Sequence, residues 1–151
     1  MIKSYIKKII PYKLYYPITN TFRMIKSKKH IGKGFLCPFC ETEFNKFFAF
    51  GFDNKAIKKH NIVGAGVNLN GTCPSCRSND RERHVFLYLK KYHKSLLNDK
   101  NKLLHFAPEK NLWEFFKRFK NIEYTAAGLD MQLASVKMDI TKIPQKNNYY
   151  D

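Results

Sequence analysis

A chain of 151 residues that is 44% hydrophobic and 15% aromatic has the material for a packed core, which excludes intrinsic disorder as its main state. Twenty-eight Lys and Arg against 12 Asp and Glu give a net charge of +16, so the partners to expect are anions: nucleic acid, an acidic or phosphorylated substrate, or an anionic membrane surface. No apolar run reaches the roughly 18–20 residues that span a bilayer, and Lys interrupts the amino-terminal stretch, so a transmembrane helix and a signal peptide are excluded and a cytoplasmic protein is expected.

Residues 1–36 hold nine Lys and Arg and no acid, which marks a basic arm. Within it Ile2, Ile6, Ile9 and Ile10 lie at helical spacing, with Lys3, Lys7 and Lys8 elsewhere on the turn, until Pro11 stops the pattern. Such a helix in residues 1–10 either touches a membrane surface or nucleic acid, or packs its isoleucines on its own domain.

The four cysteines come as two pairs, Cys37-Pro38-Phe39-Cys40 and Cys73-Pro74-Ser75-Cys76. Two residues between thiolates let one tight turn aim both sulfurs at a single ion at about 2.3 Å, and two such knuckles complete a tetrahedral site. The 32 residues between Cys40 and Cys73 suit a zinc ribbon, in which each knuckle caps a hairpin. A reducing cytoplasm argues against disulfides, and with four cysteines present His60 and His84 are read as ordinary polar residues.

Phe44, Phe47, Phe48, Phe50 and Phe52 crowd the stretch after the first knuckle and serve either as core or, if exposed, as a stacking surface for bases. Residues 62–71 read as a hairpin leading to the second knuckle. Asn79 with Glu82 three residues on matches a capping box, and Val85, Leu89, Tyr92 and Leu96 recur at helical spacing, so residues 80–97 are expected as one amphipathic helix. At its start Arg81 and Arg83 either clamp an anion or the facing domain, or stand in water.

From Lys102 the pattern changes to an α/β unit. An apolar strand, Leu103–Ala107, leads through a turn at Pro108-Glu109 to Leu112, Phe115, Phe116 and Phe119 at helical spacing. A second strand, Ile122–Leu129, ends at Asp130, and a third, Val136–Met138, ends at Asp139. The order β-α-β-turn-β begins a doubly wound sheet, whose ligands bind at the carboxyl ends of the strands, with an acid about 20 residues past the first turn bonding ribose hydroxyls. Asp130 meets that spacing. No Gly-x-Gly-x-x-Gly is present and Pro108 lacks an amide proton, which favours a nucleoside ligand over a dinucleotide.

The order CPFC, CPSC-x-S, an Arg-rich helix start, LLHFAPE, EYTAAGLD and VKMDIT resembles bacterial S-adenosylmethionine-dependent methyltransferases of the type 11-like kind, which place a zinc-ribbon-like region before a class I methyltransferase fold. The resemblance covers residues 33–151, with LLHFAPE in the place of the glycine-rich cofactor loop. It implies that His105, Ala107 and Glu109 line the methionine and ribose side of the cofactor, that Asp130 holds the ribose, and that Asp139 and Ile140 flank adenine. It also implies an unidentified methyl acceptor and a structural zinc on Cys37, Cys40, Cys73 and Cys76. The expected organisation is thus α/β: a basic arm (1–36), a zinc-ribbon-like region (37–79), a linking helix (80–97) and the first part of a Rossmann-like methyltransferase sheet (98–151), inactive without the strands that would follow. The alternative is a non-enzymatic zinc-ribbon module that binds nucleic acid or another polyanion.

Overall fold

The computed structural model describes residues 21–22, 24–62 and 66–151, so the expected helix of residues 1–10 lies outside the described residues. The chain divides into two compact units, Met1–Asn79 and Asp80–Asp151.

In the first unit a 3-10 turn (Lys28–His30) leads into β1 (Ile31–Leu36), which pairs antiparallel with β2 (Glu43–Phe44). β3 (Phe48–Phe50) pairs antiparallel with β4 (Asn68–Thr72). The first knuckle closes the β1–β2 hairpin, and the second is closed by a bridge between Thr72 and Asn79. Of residues 62–71, expected as a hairpin, residues 68–71 belong to the strand β4, whose antiparallel partner is β3, and residues 63–65 lie outside the described residues. Between β3 and β4 lies a short helix, α1 (Lys55–Lys59), which Asn54 caps by accepting from Ile57 N at 2.9 Å. Gly51 at φ +116° has to be glycine, because a Cβ there would lie 2.2 Å from Gly66 O, where the chain returns. The core of this unit joins Cys37 and Cys73 to Phe44 and Phe47, with Phe35, Phe39, Cys40 and Cys76 packed around them.

The second unit opens with α2 (Asp80–Tyr92) and α3 (Lys94–Asn98), so the single helix expected over 80–97 is broken at His93, whose φ of −127° leaves the helical region. The expected apolar stripe is also displaced. Phe86 is the buried aromatic of α2, whereas Val85 and Tyr92 are exposed, because the face turned inward is the one that sets Phe86 against Phe115, ring centres 4.9 Å apart. Far from only linking, α2 belongs to the core of this unit: the buried Glu82 accepts hydrogen bonds from Asn111 N at 3.1 Å and Asn111 Nδ2 at 3.0 Å.

β5 (Asn101–Phe106), α4 (Lys110–Phe116), β6 (Ile122–Gly128) and β7 (Val136–Lys137) follow. The three strands form a parallel sheet in the order β5-β6-β7, with Leu103 opposite Tyr124, Phe106 opposite Ala127 and Gly128 opposite Lys137. Leu112, Phe115 and Phe116 of α4 are buried together with Ile122, Ala126, Ala127 and Met138. Asn101 and Asn121 fasten the end of α3, their side-chain amides donating to Leu96 O and Leu97 O at 2.9 Å, which satisfies carbonyls that a helix end leaves open.

A candidate metal centre and the carboxyl ends of the parallel strands

Both knuckles are built alike. Cys37 O accepts from Glu41 N at 2.8 Å and Cys37 N donates to Thr42 O at 3.1 Å; likewise Cys73 O accepts from Arg77 N at 3.2 Å and Cys73 N donates to Ser78 O at 2.9 Å. To close these turns the residue after each second cysteine takes a left-handed backbone, Glu41 at φ +52° and Arg77 at φ +64°. Each turn thereby directs its two sulfurs inward.

The four Sγ atoms lie within 4.8 Å of one another, with Cys37 Sγ 3.5 Å from Cys76 Sγ and Cys40 Sγ 3.8 Å from Cys73 Sγ. A tetrahedron with metal–sulfur bonds of about 2.3 Å has edges of about 3.8 Å, which these two separations approach. A disulfide needs about 2.05 Å and is absent at these pairs. The cluster is therefore a group that could hold a metal ion such as zinc. Cys37 and Cys73 are fully buried, and Cys40 and Cys76 are half-buried.

The charge on this cluster is held unevenly. Hydrogen bonding from Cys40, Cys73 and Cys76 holds the Cys37 thiol far below its usual range. The Cys37 sulfur opposes ionisation of Cys40, but bonds from Cys73 and Cys76 outweigh it and lower that thiol to about 6. Cys73 and Cys76 are both pushed up, first by Cys37 and then by Cys40. Four thiolates in one buried place repel one another, and a divalent cation at their centre is what lets all four ionise together. Sequence reasoning overlooked one contributor: Ser78 is fully buried, with its Oγ 3.4 Å from Cys37 Sγ and 3.2 Å from Cys76 Sγ. Its position two residues after Cys76, in the CPSC-x-S string, was the available signal.

The parallel pairing of the second unit puts the turn after β5 and the acids after β6 and β7 at one end of the sheet. Ala107 takes a left-handed backbone at φ +46° while its N donates to Ala127 O at 2.8 Å. Asp130 is exposed, and its Oδ1 accepts from Gln132 N at 3.1 Å. Asp139 Oδ1 accepts from Thr141 N at 2.8 Å and Thr141 Oγ1 at 2.7 Å, and these bonds hold its carboxyl below the usual value. Ile140 is exposed. Both acids thus head tight turns, a local task that spacing alone did not reveal.

His105 sits on the face of the sheet covered by α4, its ring 6.0 Å from Phe116 and 6.1 Å from Tyr124. Its Nδ1 is 2.9 Å from Tyr124 Oη and its Nε2 is 3.1 Å from Glu109 Oε2. Burial, then the Arg81 charge, holds His105 below its usual value, and burial pushes the Tyr124 hydroxyl up. With both groups neutral the proton order is fixed: Tyr124 O–H donates to Nδ1, and Nε2–H donates to Glu109. Arg81, whose side chain is 72% exposed, donates to the same carboxylate through Nη2 within its own unit. Glu109 is thereby held from two sides at the start of α4.

Comparison with protein-family models, with curated proteins and with solved structures returns no match. No helix among the described residues is long and apolar enough to cross a membrane.

Proposed function

We propose that the protein takes part in S-adenosylmethionine-dependent methyl transfer, with a structural zinc held by Cys37, Cys40, Cys73 and Cys76 and the adenosyl cofactor received at the carboxyl ends of β5, β6 and β7. The observation that carries the reading is the parallel order β5-β6-β7, which gathers Ala107, Asp130 and Asp139 at one end of the sheet. Ligands of open α/β sheets bind at that end, and a left-handed non-glycine residue in the first turn is the kind of backbone strain that accompanies binding sites.

The donor set fits the cofactor's parts. The exposed Asp130 carboxylate suits the ribose hydroxyls, and the turn of Asp139 with Ile140 offers a polar and an apolar contact for a purine. Glu109, fixed by His105 and Arg81, is a carboxylate acceptor for the methionine ammonium. When bound, S-adenosylmethionine supplies a methyl group on a positively charged sulfur. The chain's part is to bind and orient, since methyl transfer to a ready nucleophile depends chiefly on alignment in a desolvated place.

Calorimetric titration of the full-length protein with S-adenosylhomocysteine tests the reading. Asp130→Asn is expected to weaken binding by about ten- to a hundredfold, the loss that follows from about 1.5–3 kcal/mol of charge-assisted hydrogen bonding. Unchanged affinity would leave Asp130 as an exposed turn residue with no part in the cofactor site.

A further inference from the structure

The phenylalanines after the first knuckle divide sharply by accessibility. Phe44 and Phe47 are 0% and 6% exposed and belong to the core around the cysteines, whereas Phe50 and Phe52 are 51% and 72% exposed. Leu69 on β4 is 74% exposed. The small sheet is shaped around Phe50: a Cβ on Gly71 would come within 2.7 Å of Phe50 Cβ, so glycine at position 71 makes room for that side chain. Phe52 follows Gly51, at the point where the chain leaves the sheet for α1 and later returns at Gly66.

The charge of this unit is one-sided. Among the described residues up to Asn79 there are nine Lys and Arg against three acids. Of those acids, Asp53 is paired with Lys58 at 2.6 Å, and Glu43 accepts from Gly34 N at 3.1 Å. Lys46 precedes β3, and Lys55 and Lys59 lie on α1 directly after Phe52, all of them exposed.

We propose that the β3–β4 surface binds single-stranded nucleic acid, with Phe50 and Phe52 stacking on bases and Lys46, Lys55 and Lys59 holding phosphates. Exposed aromatic rings among lysines are the combination that unpaired bases on a polyanionic backbone require, and a duplex hides the base faces such rings would stack on. Asn68 pairs with Phe50 across the two strands, and its Oδ1 accepts from Asn70 N at 3.0 Å; a polar residue at that position suits base edges and has no counterpart in an acyl chain. The proposal goes beyond methyl transfer and uses none of the residues assigned to the cofactor.

The test is fluorescence anisotropy of labelled twelve-nucleotide oligouridine and oligothymidine with the zinc-loaded full chain. The same measurement is made with a duplex of equal length and with vesicles of phosphatidylserine and phosphatidylcholine. The single strands are expected to bind in preference to the duplex. Changing Phe50 and Phe52 together to Ala should weaken that binding tenfold or more with zinc content unchanged, while changing both to Tyr, which keeps a ring, should preserve it. Changing Lys46, Lys55 and Lys59 to Gln should reduce the slope of log affinity against log salt by about 2, at about 0.7 for each phosphate no longer neutralised. Undiminished single-strand binding by the Ala variant would overturn the proposal. So would vesicles or duplex bound as tightly as the single strands with the same dependence on Phe50 and Phe52.

Discussion

Thr42 and Ser78 occupy matching positions in the two knuckles, yet their hydroxyls do different work. Thr42 Oγ1 donates to Cys40 O at 3.0 Å, whereas Ser78 Oγ reaches the sulfurs of Cys37 and Cys76. A hydroxyl against two thiolates steadies their charge and orientation, and loss of such an outer partner costs metal sites about ten- to a hundredfold in affinity. Ser78→Ala should therefore release zinc to a competing chelator at a correspondingly lower chelator concentration, whereas Thr42→Ala should leave the midpoint close to that of the parent. His105 makes a prediction of another kind. Its lowered value means that folding favours the neutral ring, so the stabilisation it confers is complete above about pH 6.5 and is lost as the pH falls through the lowered value. Thermal unfolding followed by the fluorescence of Trp113, the only tryptophan, should show a midpoint that falls on acidification below pH 6.5. In His105→Gln that part of the fall should be missing; an equal fall in both proteins would remove His105 as its source.

Among the elements, α2 shows most clearly what periodicity reveals and what it leaves out. A helix beginning near residue 80 was legible from its polar start and apolar recurrence, but the inward face was not, because Val85, Phe86, Leu87, Tyr88 and Leu89 are contiguous and offer several stripes. The choice is made by tertiary partners: the Phe115 ring across from Phe86, and Asn111 across from the buried Glu82. Phe86→Ala should cost about 3–5 kcal/mol in urea unfolding monitored at Trp113, while Val85→Ala, at an exposed position, should cost well under 1 kcal/mol. Comparable costs at the two positions would restore the stripe expected from the sequence. The three parallel strands were legible because apolar runs alternate with polar turn residues, and the cysteine cluster because both pairs share one spacing. Asx turns at Asp130 and Asp139, the Tyr124–His105–Glu109–Arg81 chain and the short helix α1 were not legible. Each depends on which atoms meet in space or on one capping side chain, which composition and period do not encode.

At the scale of the whole molecule, each compact unit carries a core of its own, and the two cores rest on different physics. In the first unit the thiols are part of the core itself, alongside Phe44 and Phe47, so a metal held by them would share one free energy with folding there. In the second, Phe86, Leu112, Phe115, Phe116 and Ile122 supply an apolar core that contains no cysteine. Cys73→Ser should therefore abolish metal binding and unfold the region between the knuckles while leaving the Trp113 emission of the second unit folded. Its simultaneous loss would show that the second core does not stand without the first.

The central claim is that the two knuckles form one metal centre, and elemental analysis combined with thiol titration on the same sample tests it most directly. Protein prepared under reducing, zinc-replete conditions is expected to contain one zinc per chain. Its four cysteines should resist a thiol reagent until the metal is displaced, after which all four should react. Four freely reactive thiols with no bound metal in that same preparation would contradict the account.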